Sequence, residues 1–238
     1  MAGSARLQRL YERIHACHEC TRMDRRKVLR NARGVWPQSD VLVVSQALAQ
    51  GTQRLTGVSF FGRNGKLGNT GRRLEAFLNL FDRTLYPPAP ISLSGGSTIP
   101  GRDRRYRPVY NTEVAQCFPG QVAPGVDRPP TTKEMTTCIG QGFLAEELSI
   151  VKPRLVLLMG AKASQAFSTL VLRERPSSAS LVNQIDAIAR TGRIPSAEIN
   201  GHKVFIAPIC HASGANPHFA RMMINARYVA LLKRALKH

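Results

Sequence analysis

Five cysteines and one loop histidine carry the most specific chemistry in this 238-residue chain. Cys17 and Cys20 form a CxxC pair, Cys117 and Cys138 stand far apart from it and from each other, and Cys210 directly precedes His211. A CxxC alone fits a redox dithiol, a zinc site or part of an iron–sulfur ligand set. The redox use wants the pair at the start of a helix that follows a strand, whereas here a helical pattern precedes Cys17. A zinc ribbon wants a second close pair, which Cys117 and Cys138 do not make. Two-plus-one-plus-one fits a [4Fe–4S] cluster held by Cys17, Cys20, Cys117 and Cys138. For Cys138 the competing reading is a buried small apolar residue, the commonest role of a free cysteine. Cys210 reads as core.

His211 ends a strand-like run and opens a loop of small residues, Ala212-Ser213-Gly214-Ala215, before Asn216-Pro217. An imidazole at a strand end, followed by a tight loop and a capped helix, has the setting of a functional group. Gly62 and Gly65 flank Arg63 near a predicted helix start, where backbone N–H groups can approach a phosphate. The 15 Asp and Glu residues are scattered, which argues against the clustered carboxylates of a metal-dependent nuclease.

Against those acids stand 34 Lys and Arg, a formal charge of +19. Apolar content is ordinary at 43%, so the excess does not come from a disordered basic tail. Three groups stand out: Arg22, Arg25, Arg26, Lys27, Arg30 and Arg33; Arg102, Arg104, Arg105 and Arg107; and Arg221, Arg227, Lys233, Arg234 and Lys237. Together they favour a surface that tracks a polyanion, with nucleic acid first, over a merely soluble basic protein. Aromatic residues are sparse, so stacking along a long single strand is not the expected mode.

The elements that must position these groups are legible as runs and periods. Asp40–Ser45, Arg154–Met159 and His202–Pro208 read as buried strands, Val109–Ala115 as a weaker fourth, and continuous apolar runs suit a parallel sheet covered on both faces. Leu67–Phe81 carries an apolar helical face. Thr131 with Glu134 predicts a capping box opening a helix that runs to about Val151. Ala161–Leu172 follows a strand directly, and Asn216-Pro217 predicts the cap of a last helix reaching Leu236. Alternating strands and helices predict one α/β domain over residues 1–238: a central four-stranded, mainly parallel sheet flanked by helices. The same pattern places a ligand-bearing N-terminal helix at 4–33 and an insertion loop at 87–108. No apolar run approaches the roughly 20 residues of a membrane span, and the first eleven residues hold no export segment, so a soluble cytoplasmic monomer with no membrane contact is expected.

The motifs resemble those of the uracil-DNA glycosylase superfamily, closest to its iron–sulfur families 4 and 5. Those families carry CxxC near the N-terminus, a third cysteine after a strand and a fourth in the following helix, the order of Cys17, Cys20, Cys117 and Cys138. Ser45-Gln46-Ala47-Leu48-Ala49 resembles their strand-end motif, and Thr56-Gly57 with Phe60-Phe61-Gly62-Arg63-Asn64-Gly65-Lys66-Leu67 resembles the segment that follows it. Tyr110–Pro119 resembles the base-reading motif, and His211-Ala212-Ser213 the His-Pro-Ser loop.

The resemblance implies a monofunctional glycosylase that hydrolyses the N-glycosidic bond of uracil, or of other deaminated bases, in duplex or single-stranded DNA during base excision repair. It would be associated with the nucleoid through that DNA. Such a site needs a stacking ring, an edge reader, a stabiliser for the leaving base and a means to place water. By the match Phe60 stacks, His211 donates to the base as charge develops, and Ser213, Gly62 and Arg63 contact the DNA backbone. The sequence departs from the pattern at two acids: Gln46 stands where the family has a carboxylate, and Arg63 replaces the family 5 aspartate. Gln46 can orient water but cannot take its proton. The reader's asparagine position, counted from Cys117, holds Glu113. Glu113 is the expected pocket residue, reading other bases or supplying the missing acid, and a shift of register would instead let Asn111 read. The cluster is expected to be structural. The missing acids leave an alternative: a non-catalytic iron–sulfur nucleic-acid-binding protein on the same fold.

Overall fold

The computed structural model describes residues 2–20, 39–47, 49, 56–93 and 96–237. The basic run from Arg22 to Arg33 lies outside the described residues, as does Leu48 of the first strand-end motif.

Five strands form the central sheet: β1 Val41–Ala47, β2 Tyr110–Ala115, β3 Leu155–Met159, β4 Ser196–Ile199 and β5 His202–Ile209. Their spatial order is β4-β5-β3-β1-β2. The pairs β1–β2, β1–β3 and β3–β5 are parallel, and only β4 runs antiparallel, against β5. The four expected strands are all present. The sheet has five rather than four because Ser196–Ile199, an edge strand of alternating exposure, offers no apolar run to read.

Period-two alternation splits the core in two. On one face Val41, Val43, Leu155, Leu157 and Ile209 pack against α2 (Asn69–Asn79), α6 (Leu181–Thr191), α7 (Pro217–Met223) and α8 (Ala226–Lys237). On the other, Leu42, Val44, Val156 and Ile206 pack against α1 (Ala2–Ala16), α3 (Thr132–Gly140), α4 (Phe143–Val151) and α5 (Ala161–Ala166). Two predicted helices are divided. Gly142, at φ 75° in the left-handed region, ends the helix that Thr131 caps and starts α4. Asn225 accepts from the Tyr228 amide at 3.0 Å and starts α8 as a separate element. The helix after β3 passes into a π-helical turn, Phe167–Val171. α1 ends at Ala16, so Cys17–Cys20 follow the helix in irregular chain rather than lying within a helix over 4–33.

The 87–108 segment is not wholly loop. Ile91–Ser92 pairs with Thr98–Ile99, and Ile91, Leu93 and Ile99 are buried in the first core. Gly65, at φ 71°, lies against this ribbon so closely that a Cβ there would stand 2.3 Å from the Thr98 carbonyl oxygen. At the sheet's N-terminal edge Arg83 clasps Asp40 with Nε and Nη2 at 2.8 and 2.6 Å. Behind β2 the fully buried Glu147 of α4 accepts from Tyr110 at 3.0 Å and from Thr112, and Tyr110 in turn accepts from Tyr11 of α1. This network fixes α1 and α4 to the strand that leads into Cys117.

Candidate active site

A cavity of about 380 Å³ opens at the C-terminal ends of the parallel strands, where α/β sheets place their sites. Ser45, Gln46 and Ala47 come from the end of β1, Met159 from the end of β3, and His211 from the loop after β5. Phe60 and the start of α2 (Gly68 to Gly71) form another wall, and Ala49, Asp127 and Arg128 complete the lining.

The His211 ring has one fixed donor. Burial pushes its imidazole below the ordinary histidine range, so it is neutral at pH 7. The Ser213 backbone N–H donates to Nδ1 at 3.2 Å. With Nδ1 used as an acceptor, the ring proton sits on Nε2, and His211 offers an N–H to the cavity it lines. Gly160, at φ 90°, packs on the other side, where an added Cβ would stand 3.7 Å from the ring. From α2, Arg73 donates to the carbonyl oxygens of Ser213 and, at 3.2 Å, Asn216, and its guanidinium lies 5.1 Å from the Phe219 ring centroid. Arg73 therefore clamps the loop that orients His211.

Phe60 is half-buried on the cavity wall with φ 70°, a left-handed conformation that L side chains rarely adopt. Its carbonyl accepts from the Gly68 amide at 2.9 Å. A Cβ on Gly71 would meet the Phe60 Cβ at 2.8 Å, so the glycine is what lets α2 lie beneath the ring.

Several expected site residues lie elsewhere. Glu113 pairs in register with Ser45 and shares its sheet face, but it is buried to 1% and does not reach the cavity wall. Asn111, opposite Val43 and one turn of the pleat deeper, is also off the wall, with a buried Oδ1 that has no hydrogen-bond partner among the described residues. Both placements have one cause: β2 is the outer strand of the sheet, next to β1, and the cavity lies over β1 and β3. Gly62 and Arg63 belong to a turn closed by Gly62 N–H to the Lys66 carbonyl at 2.9 Å, while the helix itself begins only after Gly68. Ser213 contributes its amide to His211 and does not line the cavity.

Asp127 and Arg128 were not read from sequence. They end a hairpin, Gln121–Ala123 with Val126–Asp127, whose Pro124-Gly125 turn was the available signal. Arg128 grips Glu134 with both terminal nitrogens at 3.0 and 2.7 Å and the Pro119 carbonyl with Nε at 2.7 Å. The Arg128 guanidinium and the Thr131 amide hold the Glu134 carboxyl well below the usual range, at about 2.

Cys17, Cys20, Cys117 and Cys138 line one small pocket with Ile14, Gln116 and Phe143. Burial pushes the Cys138 thiol up to about 12, even though the Gln116 amide donates to its sulfur at 3.2 Å. Cys210 is buried apart from them, as expected. Among the described residues, no group of three or more His, Cys, Asp or Glu is arranged to hold a metal ion.

The sequence model of the uracil DNA glycosylase superfamily matches residues 34–236, a span that begins after the CxxC pair. No curated protein matches the chain.

Proposed function

The chain belongs to the uracil DNA glycosylase superfamily, and from that premise we propose that it releases uracil, or another deaminated base, from DNA by hydrolysing the N-glycosidic bond. The observation that carries this reading is the meeting of Phe60, Gln46 and His211 in one cavity at the strand ends, with His211 Nδ1 already occupied by the Ser213 amide.

The extruded base stacks on the Phe60 ring. As the bond from C1′ to the base nitrogen breaks, its electron pair moves onto the base, and His211 Nε2–H donates to the carbonyl oxygen where that charge collects. The Gln46 amide orients water. Among the described residues, Asp127 is the carboxylate on the wall, and it takes the place of the family acids missing at Gln46 and Arg63. Water oxygen bonds to C1′, its proton passes to Asp127 and then to the departing base, and the products are a free base and an abasic site.

The four thiols fit a [4Fe–4S] cluster by donor type and by their convergence on one pocket. The cluster would supply a cross-link between the irregular segment after α1, the end of β2 and α3. Bound iron would also supply the charge that a buried Cys138 thiolate needs.

The replaced family acids favour one second reading, a non-catalytic nucleic-acid binder with the same cluster. Duplexes carrying a single uracil, hypoxanthine, xanthine or intact base, treated with alkali after incubation, separate the two. Strand scission at a deaminated base supports the glycosylase; tight binding without scission at any of them supports the binder.

A further inference from the structure

The hairpin 121–127 stands at the cavity mouth without serving either core. Every one of its residues is exposed, and Val122 and Val126 keep 66% and 53% of their surface in contact with solvent. With Ala123 and Pro124 they leave Gly125 as the one residue of 122–126 without an apolar side chain, whereas single exposed apolar residues are ordinary on a protein surface. The base of the hairpin is rigid. The Arg128 amide donates to the Gly120 carbonyl at 2.8 Å, Gln121 Nε2 donates to Asp127 at 3.1 Å, and the Arg128 guanidinium is bolted to Glu134 and Pro119. A register shift between Gln121 and Ala123 turns the strand locally, the way a bulge re-aims a side chain. Asp127 and Arg128 at its foot are on the cavity wall, so the tip projects from the rim at a fixed offset.

A nucleotide that leaves the stack opens a gap in the duplex, and proteins that hold DNA in this state fill such gaps with apolar side chains. The loop after His211 offers only Ala212, Ser213, Gly214 and Ala215, none large enough for that task. We propose that the 121–127 hairpin is the wedge, with Val122, Pro124 and Val126 entering the base stack of duplex DNA where the extruded nucleotide stood. The inference rests on the cavity being a base pocket.

The test is a V122S/V126S double variant, at two exposed positions that leave both cores untouched. Base release is measured on one uracil-containing strand, alone and annealed to its complement. The wedge predicts a loss of about tenfold or more on the duplex and less than about twofold on the single strand, which has no stack to refill. An equal loss on both substrates, or none on the duplex, overturns it. A 2-aminopurine placed beside the uracil reports unstacking without bond cleavage. Wild-type protein should raise its fluorescence and the variant should not; equal rises overturn the wedge. Fluorescence that depends on the two valines, with no base released by either protein, contradicts the glycosylase reading and leaves the wedge standing.

Discussion

His211 owes its donor proton to a neighbour two residues on, since the Ser213 amide occupies Nδ1. Protonation would put a second N–H against that amide. Base release should therefore stay level as pH falls through the ordinary histidine value of about 6.5 and decline only below it, because burial lowers the folded-state value. A midpoint at or above the ordinary value in single-turnover release would contradict this. The same shift has a stability consequence. Between the ordinary value and the lowered folded one the unfolded chain binds the proton and the folded chain does not, so stability is lost as pH drops through that window and is unaffected by this group above it. Phe60 gives a second prediction. Gly71→Ala introduces a methyl group 2.8 Å from the Phe60 Cβ, and should cost about 1–3 kcal/mol in denaturant unfolding while lowering base release by displacing the ring; unchanged release would disconnect Gly71 from the site. Phe60 and Gln46 were reached through the resemblance of the segments that carry them, and His211 also through its place at a strand end before a loop of small residues. Arg73 and Asp127 were not, because which side chain reaches across from another element is decided only by packing. Glu113 shows the limit from the other side: spacing from Cys117 located it in the chain, but the sheet order set it on the outer strand, beside the cavity wall.

At the scale of elements, α3 is where the site and the cysteines meet. Its capping box couples Thr131 to Glu134, and Glu134 couples to Arg128 at the foot of the hairpin. Thr131→Ala should cost about 1 kcal/mol of stability. Because Glu134 is held at about 2, the stability it confers is present above the ordinary carboxylate range and is lost as pH falls from there toward that value. Glu134→Gln should flatten that acid limb in pH-dependent unfolding; an identical limb in both proteins would remove Glu134 from the account of acid stability. Cys138→Ser should abolish bound iron and acid-labile sulfide, lower stability and leave His211 in place; purified protein that keeps both iron and sulfide would show that Cys138 is only core. The capping box was legible from two residues at fixed spacing. The separation of α3 from α4 depended on the left-handed Gly142, and α6 carries its own signal in Leu181, Ile185 and Ile188 at helical spacing between Ser180 and Gly192.

For the whole molecule, the excess positive charge is distributed by use. In the C-terminal group Arg221 pairs with Asp186, and Arg227 and Arg234 donate to the carbonyls of Arg190 and Gly192, so these arginines fasten α7 and α8 to α6. Arg102 bonds carbonyls of its own loop. Arg63 and Lys66, exposed on the turn before α2, are better placed to meet phosphate. Replacing each by Gln should reduce the slope of log affinity against log salt by about one for every phosphate left without its cation, whereas Arg234→Gln should leave that slope unchanged; the reverse order would relocate the DNA path. Among the described residues no helix is long and apolar enough to cross a membrane. The role proposed for His211 at the strand ends, stabilising a departing base, is tested by base release from a single-uracil duplex by wild-type protein and by His211→Ala, with binding measured in parallel. Wild-type protein should release the base, and the variant should lose about 10²-fold or more in rate while binding the duplex with nearly the same affinity and salt slope. Release at the same rate by both proteins, or loss of binding and release in equal measure, would contradict it.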